Sequence, residues 1–221
     1  MMGWFANIVW SDIGQATLDT LIMLFASLAL TIVLGVPLGV LLFLTGEGQL
    51  AQSKLANRTL GLVINLLRSI PFVILLILMI PLTLLLVGTS LGVAGAIPPL
   101  VAGAAPFYAR LVEGALREVP RVTIEAAQAM GATRFQIIVK GLLPETLPSL
   151  ISGATVTAVA LVSFTAMAGV VGAGGLGDLA IRYGYQRFQT DVMLVTVVLL
   201  IVLVQLIQFA GDYLSRRFDY R

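Results

Sequence analysis

Long uncharged runs broken by short polar stretches set the pattern of this chain. Five windows have no charged side chain or almost none: 21–44, 70–87, 91–108, a stretch within 146–172, and 192–211. The apolar residues in them are continuous rather than alternating, which fits helices and not the strands of a barrel. Each window approaches the roughly 20 residues a helix needs to cross a bilayer. The expected fold is therefore an all-α integral membrane domain with five spans, at about 17–44, 66–87, 91–112, 146–171 and 191–213. The longest polar stretch falls at 113–145.

Composition supports the membrane reading, since 59% of the 221 residues are hydrophobic and only 11% are charged. The cations then set the expected orientation, because Lys and Arg of short loops stay on the cytoplasmic side. With the N-terminus outside, Lys54, Arg58, Arg68, Arg110, Arg117, Arg121, Arg134, Lys140, Arg216, Arg217 and Arg221 all fall inside. Only Arg182 and Arg187 fall outside, and the C-terminus is cytoplasmic. The leader carries Asp12 and Asp19 before a full-length span rather than a positive n-region, so the first span is expected to be retained. Trp4 and Trp10 read either as outer interface anchors or as part of an unstructured leader. The net charge of +2 is spread along one face of the membrane without a basic run, so it points to topology and not to nucleic acid.

Catalytic chemistry is limited by absence. With no His and no Cys, zinc sites of the usual kind, a Ser-His-Asp triad and disulfides are excluded. The five windows hold none of the carboxylates that proton-coupled pumps often use, and there is no Walker A sequence. No cofactor or metal is expected. "GAGGLG" at 172–177 satisfies G-x-G-x-x-G, but it follows a membrane span instead of a strand, which rules out a dinucleotide fingerprint. It reads as a tight external connection or as a glycine hinge beside a pathway, with Gly174, Gly175 and Gly177 as hinge candidates.

The polar stretch "EAAQAMGATRFQIIVKGLLPETLP" (125–148) predicts a helical hairpin. Pro120 can open a short helix, and Gly131 is placed to end it in the left-handed conformation. Thr133 and Gln136 then match a capping box for a second helix, which Pro144 should stop. Alanines 126, 127 and 129 give the first helix a low profile, with Met130 and Phe135 as apolar knobs at the corner.

This stretch resembles the EAA loop of binding-protein-dependent ABC importer permeases, in its E-A-A, the glycine six positions after Glu125, and the L-P. "RSIPFVILLILMIPLT" (68–83), "VGTSLG" (87–92), "AAPFYARLVEGALREVP" (104–120), "AMAGVVGAGGLG" (166–177) and "LIQFAGD" (206–212) extend the likeness to the methionine-uptake branch of that family. The resemblance implies a type I importer permease fold in the bacterial inner membrane and a homodimer of permeases. It also implies two ABC ATPase subunits on the cytoplasmic side and an external substrate-binding lipoprotein. It further implies that Glu125, Ala126, Ala127, Met130, Gly131 and Ala132 form a coupling helix seated in the ATPase. ATP hydrolysis would then belong to the partner, and this chain would carry an amino acid by alternating access. L-methionine is favoured, with D-methionine, derivatives or another amino acid open.

Several residues keep two readings. Thr155, Val159, Ser163 and Met167, four apart in the fourth span and read as one helical face, present hydroxyls and a thioether that either line a pathway or bond their own backbone and a neighbouring helix. Arg68 either snorkels to inner headgroups or pairs inside a moving interface. Pro37, Pro71 and Pro106 read as packing kinks before gates, and "GVPLG" (35–39) as a close helix contact. A secondary transporter or channel, or a scaffold subunit of another ATP-driven complex, are the competing classes. The first would usually show ionisable coupling residues or an internal repeat.

Overall fold

A computed structural model describes residues 8–219, so Trp4 and Arg221 of the sequence reading lie outside the described residues. The described chain is helical throughout. Helix α1 (Trp10–Leu44) leads into α2 (Lys54–Ser69), α3 (Phe72–Leu78), α4 (Ile80–Val87) and α5 (Gly92–Arg117). The polar stretch forms α6 (Arg121–Ala129), α7 (Arg134–Gln136), a π-helical segment (Ile137–Leu142) and α8 (Leu143–Glu145). Then come α9 (Leu147–Gly169), α10 (Gly175–Leu179), a second π segment (Ala180–Tyr185) and α11 (Thr190–Arg217). Four of these helices, α1, α5, α9 and α11, are long and apolar enough to cross a membrane, and the bent pair α2–α3 makes five if the two count as one span.

The α1–α5 pair is the backbone of the bundle. Every third or fourth residue of α1 is buried, from Ile13 through Thr20, Met23, Ser27 and Thr31 to Gly35 and Gly39. The two glycines let the helices touch. A Cβ at Gly35 would lie 2.8 Å from the Tyr108 ring, and one at Gly39 would lie 2.6 Å from the Ala109 carbonyl oxygen. The small-xxx-small match at 35–39 is thus a close crossing. Met23, Leu24, Phe72, Leu76, Leu100, Ala104, Leu161 and Val162 close one apolar core between α1, α3, α5 and α9. Large apolar side chains also cover the outside, as with Leu85, Val33 and Phe209, each more than 60% exposed. That distribution suits lipid rather than water.

Three boundaries differ from the sequence reading. Helix α1 begins at Trp10 instead of near residue 17, and Trp10 is exposed. The second span, 66–87, bends more sharply at Pro71 than a packing kink implies, because α2 and α3 meet at 105°. Pro71 has no N–H to continue the α2 ladder and disfavours helical backbone at Ile70, which is extended at φ −81°, ψ 125°. Pro37 and Pro106, by contrast, sit inside continuous helices. Pro144 does not stop its helix either: it occupies the first turn of α8, where its missing N–H costs nothing.

Candidate functional site

At one end of the bundle the α6 hairpin projects from the end of α5. Pro120 is the residue before the first helical one, with α6 opening at Arg121. Its single buried side chain, Ile124, anchors it among Phe43, Leu44, Leu116, Val119, Ile137 and Leu142. The helix ends at Gly131, whose φ of 79° is left-handed. The Gly131 N–H donates to the Gln128 carbonyl at 2.9 Å and the Ala132 N–H to the Ala127 carbonyl at 3.0 Å, the two bonds of a Schellman motif. Thr133 and Gln136 then exchange both bonds of a capping box, at 2.8 and 3.3 Å.

The hairpin surface carries the residues the sequence singled out. Glu125, Ala126, Met130 and Gly131 are exposed, while Ala127 and Ala132 turn half inward onto the apolar cluster. Met130 (82%) and Phe135 (72%) stand out at the corner. Val122, 73% exposed, belongs to the same projecting surface and was missed. Its signal was an apolar residue in the first turn of an otherwise polar helix.

The root of the hairpin is held by charge. Glu113, 5% exposed, accepts from Arg110 at 2.8 Å and Arg117 at 2.6 Å. Arg110 reaches on to α2, donating to Asn65 Oδ1 at 3.0 Å and the Gly61 carbonyl at 3.3 Å. Beside it Arg121 of α6 lies against Gly48 in the α1–α2 connection, where a Cβ would come 3.1 Å from the guanidinium. The cavity between them, about 450 Å³, is lined by Glu47, Asn57, Arg117 and Arg121 over Phe43 and Ile124.

Further into the bundle, the α2–α3 break packs beside α9. The rings of Phe72 and Phe164 stack with centroids 4.5 Å apart and planes 7° from parallel. Arg68, one turn before the break, is exposed and lies 5.9 Å over the Phe107 ring.

The four α9 candidates do not share one face. Each four-residue step overshoots a turn by about 40°, so Met167 lies about 120° around the helix from Thr155. Thr155 is buried against Gly211 of α11, where a Cβ would collide with it, and it bonds its own Ile151 carbonyl at 2.9 Å. Val159 is half-buried, whereas Ser163 and Met167 are exposed. Val156 (50% exposed) and Val170 (59%) complete that open face.

The glycine turn is packed instead of free. Gly174 (φ 81°) and Gly175 (φ 83°) are left-handed, and a Cβ at Gly175 would meet the Thr20 hydroxyl at 2.7 Å. A Cβ at Gly177 would collide with the backbone of Ala166. The Leu176 N–H donates to Thr20 Oγ1 at 2.9 Å, tying α10 to α1. The hinge reading of Gly175 and Gly177 therefore gives way to close packing: both glycines are needed for contact.

Comparison with known proteins follows this geometry. Residues 32–220 match the family model described as binding-protein-dependent transport system inner membrane component. The chain is 54% identical over 206 residues, 93% of this chain and 92% of the relative, to a probable D-methionine transport system permease protein MetI of Vibrio cholerae. It is 50% identical over 218 residues, 99% of this chain and 98% of the relative, to the methionine import system permease protein MetP of Bacillus subtilis. Among solved structures, a chain of the MetNI methionine ABC transporter in an inward-facing conformation superimposes with a TM-score of 0.93 and 50% identity, covering 95% of this chain and 97% of that one. An amino acid ABC transporter chain at 14% identity shares the fold, with a TM-score of 0.78. With its helical bundle, projecting hairpin and match over 32–220, this chain belongs to the binding-protein-dependent transport system inner membrane components, a family of transport subunits rather than enzymes.

Proposed function

We propose that this chain is the permease subunit of a methionine importer and that two copies enclose the pathway. The observation that carries the reading is the match over almost the full length to a chain of the MetNI methionine transporter, at 50% identity. In this reading the N-terminus lies outside and the α6 hairpin inside, which the cation distribution supports. A separate ATPase receives the exposed surface of Glu125, Ala126, Met130 and Gly131, with Ala127 and Ala132 bracing it from behind. The hairpin is suited to that work because its corner is fixed by hydrogen bonds and Ala126, Ala129 and Gly131 keep part of its outer surface low between the Met130 and Phe135 knobs.

Transport then proceeds by alternating access. ATP binding favours one arrangement of the ATPase pair, which moves the two hairpins, and packed helices carry the displacement to the pathway. An external binding lipoprotein delivers the substrate. Ser163 and Met167, on the open face of α9, are the pathway residues among the four candidates, and Thr155 belongs to the helix interface. L-methionine is the substrate, with D-methionine accepted by the same route.

The test is uptake of radiolabelled L-methionine into proteoliposomes holding this permease, its ATPase and its binding protein. ATP-dependent accumulation that D-methionine competes away supports the reading. Accumulation of another amino acid with none of methionine ends it.

A further inference from the structure

We propose that the break between α2 and α3 is a binding subsite for the amino-acid zwitterion in transit, with the Arg68 guanidinium taking the carboxylate and the open carbonyls of 66–69 taking the ammonium group. The inference rests on the reading of this chain as an amino-acid importer subunit.

The break lies deep in the bundle. Phe72, the first residue of α3, packs where a Cβ at Gly103 would lie 3.4 Å from its ring, and Gly103 is near the middle of α5. A helix that ends at this depth leaves its last carbonyls without their usual partners. Here the proline removes one donor, and the Ile70 N–H makes no capping bond. Among the described residues, no backbone or side-chain donor outside the helix reaches the carbonyls of Leu66, Leu67, Arg68 or Ser69. Unwound backbone at membrane depth is tolerated where it lines a polar cavity, and helix ends of this kind commonly hold charged solutes in transporters.

Arg68 supplies the complementary charge. The three ion pairs among the described residues involve Arg110, Arg117 and Arg182, so no carboxylate lies within 4.0 Å of Arg68. It stays exposed beside the break and rests on Phe107, which orients the guanidinium without neutralising it. A guanidinium presents a planar fork to a carboxylate. The neighbouring open face of α9, joined to the break through the Phe72–Phe164 stack, offers Met167 at 43% exposure as a soft apolar surface for the substrate side chain. A phosphate headgroup would satisfy the same guanidinium, so the two anions have to be told apart.

The experiment measures equilibrium binding of radiolabelled L-methionine to the purified permease–ATPase complex in nanodiscs, without the binding protein and with the ATPase alone as blank. Arg68→Gln should weaken binding at least tenfold, and Arg68→Lys should weaken it less. The parent complex should bind methioninamide at least tenfold more weakly than methionine, a comparison that stands even if Arg68→Gln fails to assemble. Uptake per ATP should fall in Arg68→Gln while hydrolysis stimulated by the liganded binding protein persists. Wild-type affinity in Arg68→Gln, or equal affinity of the parent for methionine and its amide, overturns the subsite. So does a loss that occurs with phosphatidylglycerol in the disc and vanishes in phosphatidylcholine alone, which would assign Arg68 to a net-anionic lipid headgroup. A parent complex that takes up no methionine at all fails the functional reading itself, whereas one that takes it up but binds none above the blank fails only the subsite.

Discussion

At the scale of single residues, small side chains decide where the helices meet. A Cβ at Gly177 would enter the backbone of Ala166, and backbone cannot swing aside as a side-chain tip can. Gly177→Ala is expected to cost about 1–3 kcal/mol through overpacking, read as a lower melting temperature of the detergent-solubilised complex. Gly14→Ala is the matched control, because among the described residues nothing lies within 4 Å of its added Cβ and alanine favours the α1 helix by about 0.5–1 kcal/mol. A rise for Gly14→Ala alongside a fall for Gly177→Ala would separate contact from propensity. Glu113 is the charged counterpart. Glu113→Gln removes the charge that two arginines share and should cost about 1.5–3 kcal/mol in the same assay. Sequence reading left Glu113 unmarked because its partners are three residues before and four after it, a spacing that looks like an ordinary exposed helix pair. Its burial, at 5% exposure, is what makes it matter, and no local pattern reveals that.

At the scale of elements, the α6 hairpin was legible and the α2–α3 corner was not. Gly131, Thr133 and Gln136 act through bonds to residues five or fewer positions away, so their geometry can be read from spacing alone. The bend after Ser69 depends on Pro71 together with the depth at which Phe72 packs. The sequence marks Pro71 as a kink, but an apolar window cannot give the size of the bend, 105°. Sequence alone leaves Arg68 open between inner headgroups and a moving interface, and only the structure puts it beside a break. The hairpin carries a prediction of its own. A Cβ at Gly131 meets no neighbour among the described residues, so the folding cost of Gly131→Asp is that of a left-handed residue, about 1–2 kcal/mol. Normal membrane abundance with uptake below a tenth of the parent is the expected result, since the added charge faces the ATPase. Uptake at the parent level would remove this corner from the coupling contact. Glu125→Lys tests the neighbouring turn: uptake per ATP should fall while the ATPase still co-purifies. Unchanged coupling would leave Glu125 as a helix-dipole residue worth about 0.3–1 kcal/mol.

At the scale of the whole molecule, alternating access demands that one face of the bundle meet water in some states and be sealed in others. The α9 helix offers a direct measure, because about 120° of rotation separates a residue on its open face from one on its packed face. The chain has no native cysteine, so single replacements report without background. Ser163→Cys and Met167→Cys stand on the open face, whereas Thr155→Cys is sealed against Gly211 of α11. In the reconstituted transporter, a water-soluble maleimide should label positions 163 and 167 at rates that change at least severalfold between nucleotide-free and ATP-trapped states. Position 155 should remain slow in both, because its burial comes from within one chain and does not depend on how two copies are arranged. Labelling at 163 and 167 that is slow in every state would place that face against lipid or the second copy. Rapid, state-dependent labelling at 155 would mean that α9 and α11 separate during the cycle, and the pathway would then run between those two helices.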